Sequence, residues 1–552
     1  MKKLNLVNKK ITSLPPAFGL LKNLEKLDLS RNLLSTLPPA IGQLKKLKWL
    51  NLMENRLAKL PAIGQLKNLE KLNLSYNMIN ILPPAIGQLK KLKWLSLKAN
   101  LLEKLPEAIG DLENLTLLNL TSRSSARYYN WDFKLSGGPA SDRILTTLIQ
   151  QELKPQMNRC FKSDRILRRR NDNVSRCSRV RKFTRNQLTS LPESIGKLKK
   201  LQILELAGNK LPSLPESIGK LKSLEDLDLA SNYLQSLPES FGKLKNLKTL
   251  LLWDNRLKSL PKSFGKLKSL NILKMYTNRL KSLPESFGNL INLKTLDLAS
   301  NKLKNLPESF GKLQNLKTLD LKHNRLKSLP ESFGKLQNLK TLVLERNKLQ
   351  SLPESFGKLK SLKILKLDYN ELKSLPESFG ELKNLKTLYL NINNLQSLPE
   401  SFGNLKSLES LDLEGNKITS LPQSTGQLKK LISLRLYHNK LISLPQSIGQ
   451  LNNLKFLDLK YNKLKSLPDS IGKLKSLESL DLEYNRLKSL PESIGKLKNL
   501  KTLILRSNRL KSLPESIGKL KNLKKIDLLD NSMSKNELKK IKRLLPNCSI
   551  WS

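Results

Sequence analysis

Residue types that carry catalysis are few in this 552-residue chain and stand far apart. The two histidines, His323 and His438, are separated by five repeats of one pattern, so they cannot form a dyad or share a metal ion. Cys160 and Cys177 have no histidine nearby and a spacing that matches no zinc pattern, and with Cys548 they lack the clustering of a disulfide framework. Cys160 and Cys177 read as free thiols in a loop. Glycine stands singly except at Gly137-Gly138, which leaves no glycine-rich phosphate loop. Carboxylates such as Asp297 and Asp320 can approach each other on adjacent strands, as surface columns of a repeated fold ordinarily do. The expectation is a chain that is not an enzyme and needs no cofactor or metal.

The elements behind this spacing come from the repeat itself. The pattern L-x-x-L-x-L-x-x-N ends on Asn32, Asn55, Asn77 and Asn100. It then ends on Asn186, Asn209, Asn232, Asn255, Asn278, Asn301, Asn324, Asn347, Asn370, Asn393, Asn416, Asn439, Asn462, Asn485, Asn508 and Asn531, each twenty-three residues after the last. In LKWLNLMEN, residues 47–55, Leu50 and Leu52 alternate with polar neighbours, which predicts a half-buried strand with the leucines inward and Asn51 outward. The Asn after each strand can satisfy backbone groups of the turn and of neighbouring coils, whose burial without partners costs roughly 1–3 kcal/mol each. The return segment, such as LPESFGNL at residues 283–290, carries a Pro that donates no hydrogen bond, a buried Phe or Ile, and a Gly free to adopt positive φ. It predicts a short irregular or 3₁₀ arm. Between Asn55 and Asn77 the spacing is 22, because LPAIG stands where LPPAIG is usual, so the arm absorbs the loss.

The sequence LxxLxLxxNxLxxLPxxIGxLxx resembles the intracellular leucine-rich repeat proteins, most closely the Ras-group-related subclass with 23-residue repeats, over residues 1–122 and 186–531. The resemblance implies an α/β leucine-rich repeat solenoid of about 21 coils, with a curved parallel sheet on the concave face and short irregular or 3₁₀ arms on the convex face. It also implies a concave face that binds another protein, usually in a signalling scaffold without catalysis.

Net charge of +54 suggests an alternative, binding of nucleic acid or acidic membrane through the Lys-rich outer surface. The placement of charge argues against it. The outward mid-strand column of the second block reads Glu205, Asp228, Leu251, Lys274, Asp297, Asp320, Val343, Lys366, Tyr389, Asp412, Arg435, Asp458, Asp481, Ile504, Asp527; eight of the fifteen are acidic and three basic, unlike a polyanion groove. Aromatic departures from the repeat mark candidate protein-binding patches. Leu251, Trp253 and Tyr276 form one, Tyr389 and Ile392 a second, and Arg435, Tyr437, His438, Tyr461 and Tyr484 a third. A further alternative is an exported effector that binds host signalling proteins.

Residues 123–185 break the repeat. Deleting them joins Ser122 to Asn186 in register, and they hold 12 of the chain's 23 Arg with the pentapeptide SDRIL twice, so they read as an inserted segment, mostly disordered or looped out. Within it, residues 141–155 fit one amphipathic helix ended by Pro155. The expected organisation is a first repeat block at 1–122, the insert at 123–185, a second block at 186–531 continuous with the first, and a cap at 532–552. In the cap, Ser534 and Glu537 form a capping box for a helix bearing Leu538, Ile541, Leu544 and Leu545, and NCSIW can close the last coil as a strand. The opening MKKLNLVNKK lacks a secretory apolar run of roughly 7–15 residues, and no stretch reaches the ~20 apolar residues of a membrane span. A cytoplasmic location is expected.

Overall fold

Alternating leucines make each strand of this chain short and one-sided. The computed structural model describes residues 1–122 and 185–552, in two compact units, Met1–Arg279 and Leu280–Ser552. The 141–155 helix, the Arg-rich tract, Cys160 and Cys177 fall in residues 123–184, outside the described residues. Among the described residues the first unit holds ten strands and the second twelve, each of three residues. Neighbouring strands pair in parallel with equivalent repeat positions opposite each other: Leu319 stands opposite Leu296 and Leu342, and Asp320 opposite Asp297 and Val343. Each unit is therefore a solenoid of parallel strands and 3₁₀ arms, as the repeat predicts.

Leu50 and Leu52 are buried in the core as expected. Asn51 faces away from the core yet is also buried, because the neighbouring coil places Asp28 beside it and the Asn51 amide donates to Asp28 Oδ1 at 3.1 Å.

The arms pack as a second column. Pro330 enters its arm with φ −67° and ψ 153°, and the 3₁₀ turn Glu331–Lys335 follows. Its Phe333 is buried, with the rings of Phe310 and Phe356 stacked on it at 6.1 and 6.3 Å. The arm glycines do not take positive φ; among the described residues Gly208 and Gly415, both in turns before a ladder Asn, are the glycines that do. Close approach is the reason for the arm glycine, since a Cβ on Gly334 would collide with the carbonyl oxygen of Ser355 in the next coil. In the 22-residue coil the missing Pro is replaced by left-handed Ala62, φ 58°, and the 3₁₀ turn shrinks to Ile63–Gln65. The strand of that coil keeps its register.

The Asn column completes each coil. Asn324 Nδ2 donates to Leu298 O and Leu321 O, both at 3.0 Å, and its Oδ1 accepts the Leu303 N–H at 3.0 Å. Asn186 does the same with the coils of the first block, donating to Leu97 O at 2.9 Å and Leu120 O at 3.1 Å while accepting from Leu102 N–H at 3.2 Å. Nearby, Ser122 N–H donates to Ala207 O at 2.8 Å, and Leu117–Asn119 pairs with Ile203–Glu205.

At the end of the second unit, helix α1 (Lys535–Leu544) begins at Ser534, whose hydroxyl accepts the Glu537 N–H at 3.2 Å. The capping box is only half formed. The Glu537 carboxylate accepts the Leu513 N–H at 3.2 Å, so it ties the helix to the last arm instead of returning to its own cap. Ile541 and Leu545 are buried, and strand Ser549–Trp551 pairs with Lys525–Asp527.

Candidate functional site

The two residues between the strand's last leucine and the ladder Asn form a turn that decides what the outward face displays. The second of them is left-handed in coil after coil: φ is 57° at His438, 52° at Tyr461 and 51° at Tyr484. That conformation costs a non-glycine residue roughly 1–2 kcal/mol, yet bulky side chains occupy it here. Strands spaced about 4.8 Å apart bring such side chains into contact along the column.

In the second unit this yields one aromatic cluster. The rings of Tyr461 and Tyr484 stack at 4.2 Å and 18°, Tyr437 meets Tyr461 edge-on at 5.5 Å, and His438 lies 5.7 Å from Tyr437 and 5.9 Å from Tyr461. Tyr461 and Tyr484 remain 38% and 39% exposed. Arg435 is drawn sideways to Asp412, Nη1 to Oδ2 3.5 Å. Lys460 lies 5.4 Å from the Tyr461 centroid and pairs with Glu483, which holds the ammonium pKa above its ordinary value.

Carboxylates floor the cluster. Asp458 Oδ1 accepts the Lys460 N–H at 3.1 Å and Asp481 Oδ1 the Glu483 N–H at 3.0 Å, and among the described residues neither is in an ion pair. Burial pushes the pKa of Asp412, Asp458 and Asp481 up, with Asp481 reaching about 6, where the negative charges of Asp458 and Glu483 add to the effect. Phe456 begins the same strand as Asp458 and is 49% exposed.

The other predicted residues are distributed differently. Trp253 and Tyr276 stack at 5.4 Å, nearly parallel at 3°, both half-buried, while Leu251 is 9% exposed and contributes little to a surface. Tyr389 carries Lys366 above its ring at 5.4 Å, and Ile392 is exposed with φ 52°, an unusual backbone for a β-branched residue. Phe456 and Lys460 were not among the sequence candidates. Their signal was present: Phe456 interrupts a strand-start column that otherwise reads Thr387, Ser410, Ser433 and Ser479. Tyr369, with the Arg346 guanidinium 4.5 Å from its centroid, also escaped.

No three His, Cys, Asp or Glu side chains converge as metal ligands among the described residues, and no helix there is long and apolar enough to cross a membrane. The chemistry this face offers is recognition through ring faces and carboxylates.

The leucine-rich repeat region family matches residues 41–128, 218–299, 284–349, 389–455 and 443–545, and the related leucine rich repeat family matches 1–57 and 182–234. No curated protein matches the chain. Among solved structures, a leucine-rich repeat protein of Leptospira interrogans is 34% identical with a TM-score of 0.56, covering 83% of this chain and 95% of its own. The plant peptide hormone receptor RGFR1 in complex with RGF2 is 27% identical, TM-score 0.59, covering 100% of this chain and 94% of its own. YopM from Yersinia enterocolitica is 25% identical, TM-score 0.56, covering 97% of this chain and 88% of its own. Leucine-rich repeat solenoids are typical of protein–protein interaction and generally non-catalytic. With this family matched over more than half of its length, the chain belongs to the leucine-rich repeat proteins.

Proposed function

We propose that this protein is a non-catalytic docking scaffold that holds a partner protein on the outward strand face, centred on Tyr461 and Tyr484. One observation carries the reading: exposed, mutually stacked aromatic rings occupy consecutive left-handed turn positions, where the backbone would be relaxed by glycine. Tyr437, His438 and Arg435 border that centre, and Trp253 with Tyr276 is a further anchor. Tyr389 and Ile392 are secondary contacts in this reading. Rigid aromatic side chains contribute contact area at small entropic cost, which suits them to anchor an interface. The plant receptor in complex with RGF2 supports a segment-sized partner by likeness.

The 23-residue period supports a Ras-group-related, intracellular subclass and a signalling role. The ladder bonds of Asn186 support residues 123–185 as an insert between blocks 1–122 and 186–531, with 532–552 as the cap. The test is photo-crosslinking from position 461 and, separately, from the exposed arm position 473. A partner captured from 461 and not from 473 upholds the reading. Capture from the arm alone, dissolving as salt rises, supports the Lys-rich surface as a polyanion site instead.

A further inference from the structure

The aromatic cluster sits over two carboxylates, Asp458 and Asp481, that no ion pair among the described residues engages, although Arg435 and Lys460 lie near enough to attract them. Asp458 and Asp481 stand side by side in parallel register, with Arg435 opposite Asp458 on one flank and Ile504 opposite Asp481 on the other. Arg435 is engaged by Asp412, Lys460 by Glu483 and Arg506, in the coil beyond Tyr484, by Asp530, so these three nearby cations are already committed. The strand therefore presents an apolar ring at its start, Phe456, a carboxylate at its last residue, Asp458, and a second ring beyond its end, Tyr461, with Asp481 and Tyr484 repeating the last two in the next coil. Such a strip matches a side chain with an apolar stem and a cationic head.

The chain shows elsewhere how a turn-position tyrosine is satisfied. Arg346 and Tyr369 occupy the same turn position in neighbouring coils, and the guanidinium carbon lies 4.5 Å from the ring centroid. At Tyr484 the corresponding next residue is Ser507, which supplies no cation, and the far side of Tyr461 is shared with His438. A guanidinium is planar, stacks on tyrosine, and can bridge two carboxylates spaced by one strand interval of about 4.8 Å.

Resting on the docking reading above, we propose that the partner presents an extended basic segment, whose arginine side chain stacks on the Tyr461/Tyr484 pair and bridges Asp458 and Asp481. Charge complementarity selects this occupant: in a chain of net charge +54, the outward strand column that carries Asp412, Asp458 and Asp481 is acidic and would draw a basic segment. The raised pKa of Asp481, about 6, fits a carboxylate waiting for a cation, since burial and the neighbouring Asp458 and Glu483 disfavour its charge until one arrives.

The experiment uses the full chain and three labelled peptides of alternating Ser and Arg, Ser and Gln, or Ser and Glu, followed by fluorescence anisotropy. The Arg peptide should bind about tenfold or more tighter than the Gln peptide, and Asp458→Asn/Asp481→Asn should remove about that factor. Binding should weaken as pH falls through about 6, where Asp481 takes up its proton. Thermal unfolding of the double variant, unchanged or raised, shows that it folds. Equal binding of Arg and Gln peptides, tighter binding of the Glu peptide, or indifference to the Asn pair overturns the inference. A partner protein lost on Tyr461→Ala/Tyr484→Ala but retained by the Asn pair would leave the docking reading standing and sink the basic segment alone.

Discussion

Two aromatic pairs in this chain look alike in sequence and differ in structure. Trp253 and Tyr276 occupy the first turn position, stack almost parallel at 3°, and sit half-buried beside a Leu251 that is nearly covered. Tyr461 and Tyr484 occupy the second turn position, in left-handed backbone, and stay exposed. The first pair extends the packing of its coils onto the outward face. The second is displayed at a conformational cost that the mutual stacking of its two rings only balances. Rings that stay exposed after stacking are the stronger sign of a binding surface, because their own packing leaves ring faces open to solvent.

The comparison breaks most completely if the ladder below the second pair is removed. Asn462→Ala takes away donors to Leu436 O at 2.9 Å and Leu459 O at 3.0 Å and leaves the buried Leu441 N–H without its acceptor. A loss of about 3 kcal/mol is expected, read by denaturant unfolding, together with loss of partner binding. Next come paired glycine substitutions. Tyr276→Gly should destabilise by about 2 kcal/mol, through lost ring burial and a looser chain. Tyr484→Gly should be close to neutral, since relief of about 1 kcal/mol at the left-handed position offsets the lost stacking. Equal losses at both positions would erase the distinction drawn between the pairs.

A smaller effect is expected below the second cluster. Thr425 stands where other arms carry Phe or Ile; it is 1% exposed and its hydroxyl has no hydrogen-bond partner. Thr425→Ile should stabilise the second unit by about 1–2 kcal/mol without changing partner affinity. The smallest effect concerns charge. The fold raises the Asp481 pKa to about 6, so the ionised carboxylate costs stability at neutral pH, and the cost fades as pH falls through about 6 towards the ordinary carboxyl range. Asp481→Asn should therefore gain at most about 1 kcal/mol at pH 7, after screening of this partly exposed group, and nothing near pH 4. A gain that grows on acidification would reverse the sign of this account.

The repeat made the architecture legible because leucine, asparagine and proline each have one structural use per coil. Glycine misled, since sequence shows that a side chain is absent but not whether φ or crowding requires it; the carbonyl of Ser355 over Gly334 supplies the answer. Glu537 misled similarly, as a capping box is a local pattern and Leu513 lies in another coil. Tyr437, His438, Tyr461 and Tyr484 were readable as departures from the repeat, and the structure adds their mutual stacking. Phe456 and the absence of an ion pair at Asp458 and Asp481 among the described residues were harder to see. Their meaning depends on Arg435 and Lys460 being engaged elsewhere, a fact of side-chain geometry that no single repeat contains.

The most direct test of the central claim is a paired titration of one captured partner protein against the full chain, Tyr461→Ala/Tyr484→Ala and Trp253→Ala, each checked for folding. The account predicts that the tyrosine pair loses about 2 kcal/mol or more of binding while Trp253→Ala loses clearly less. Undiminished affinity in the tyrosine variant would contradict it.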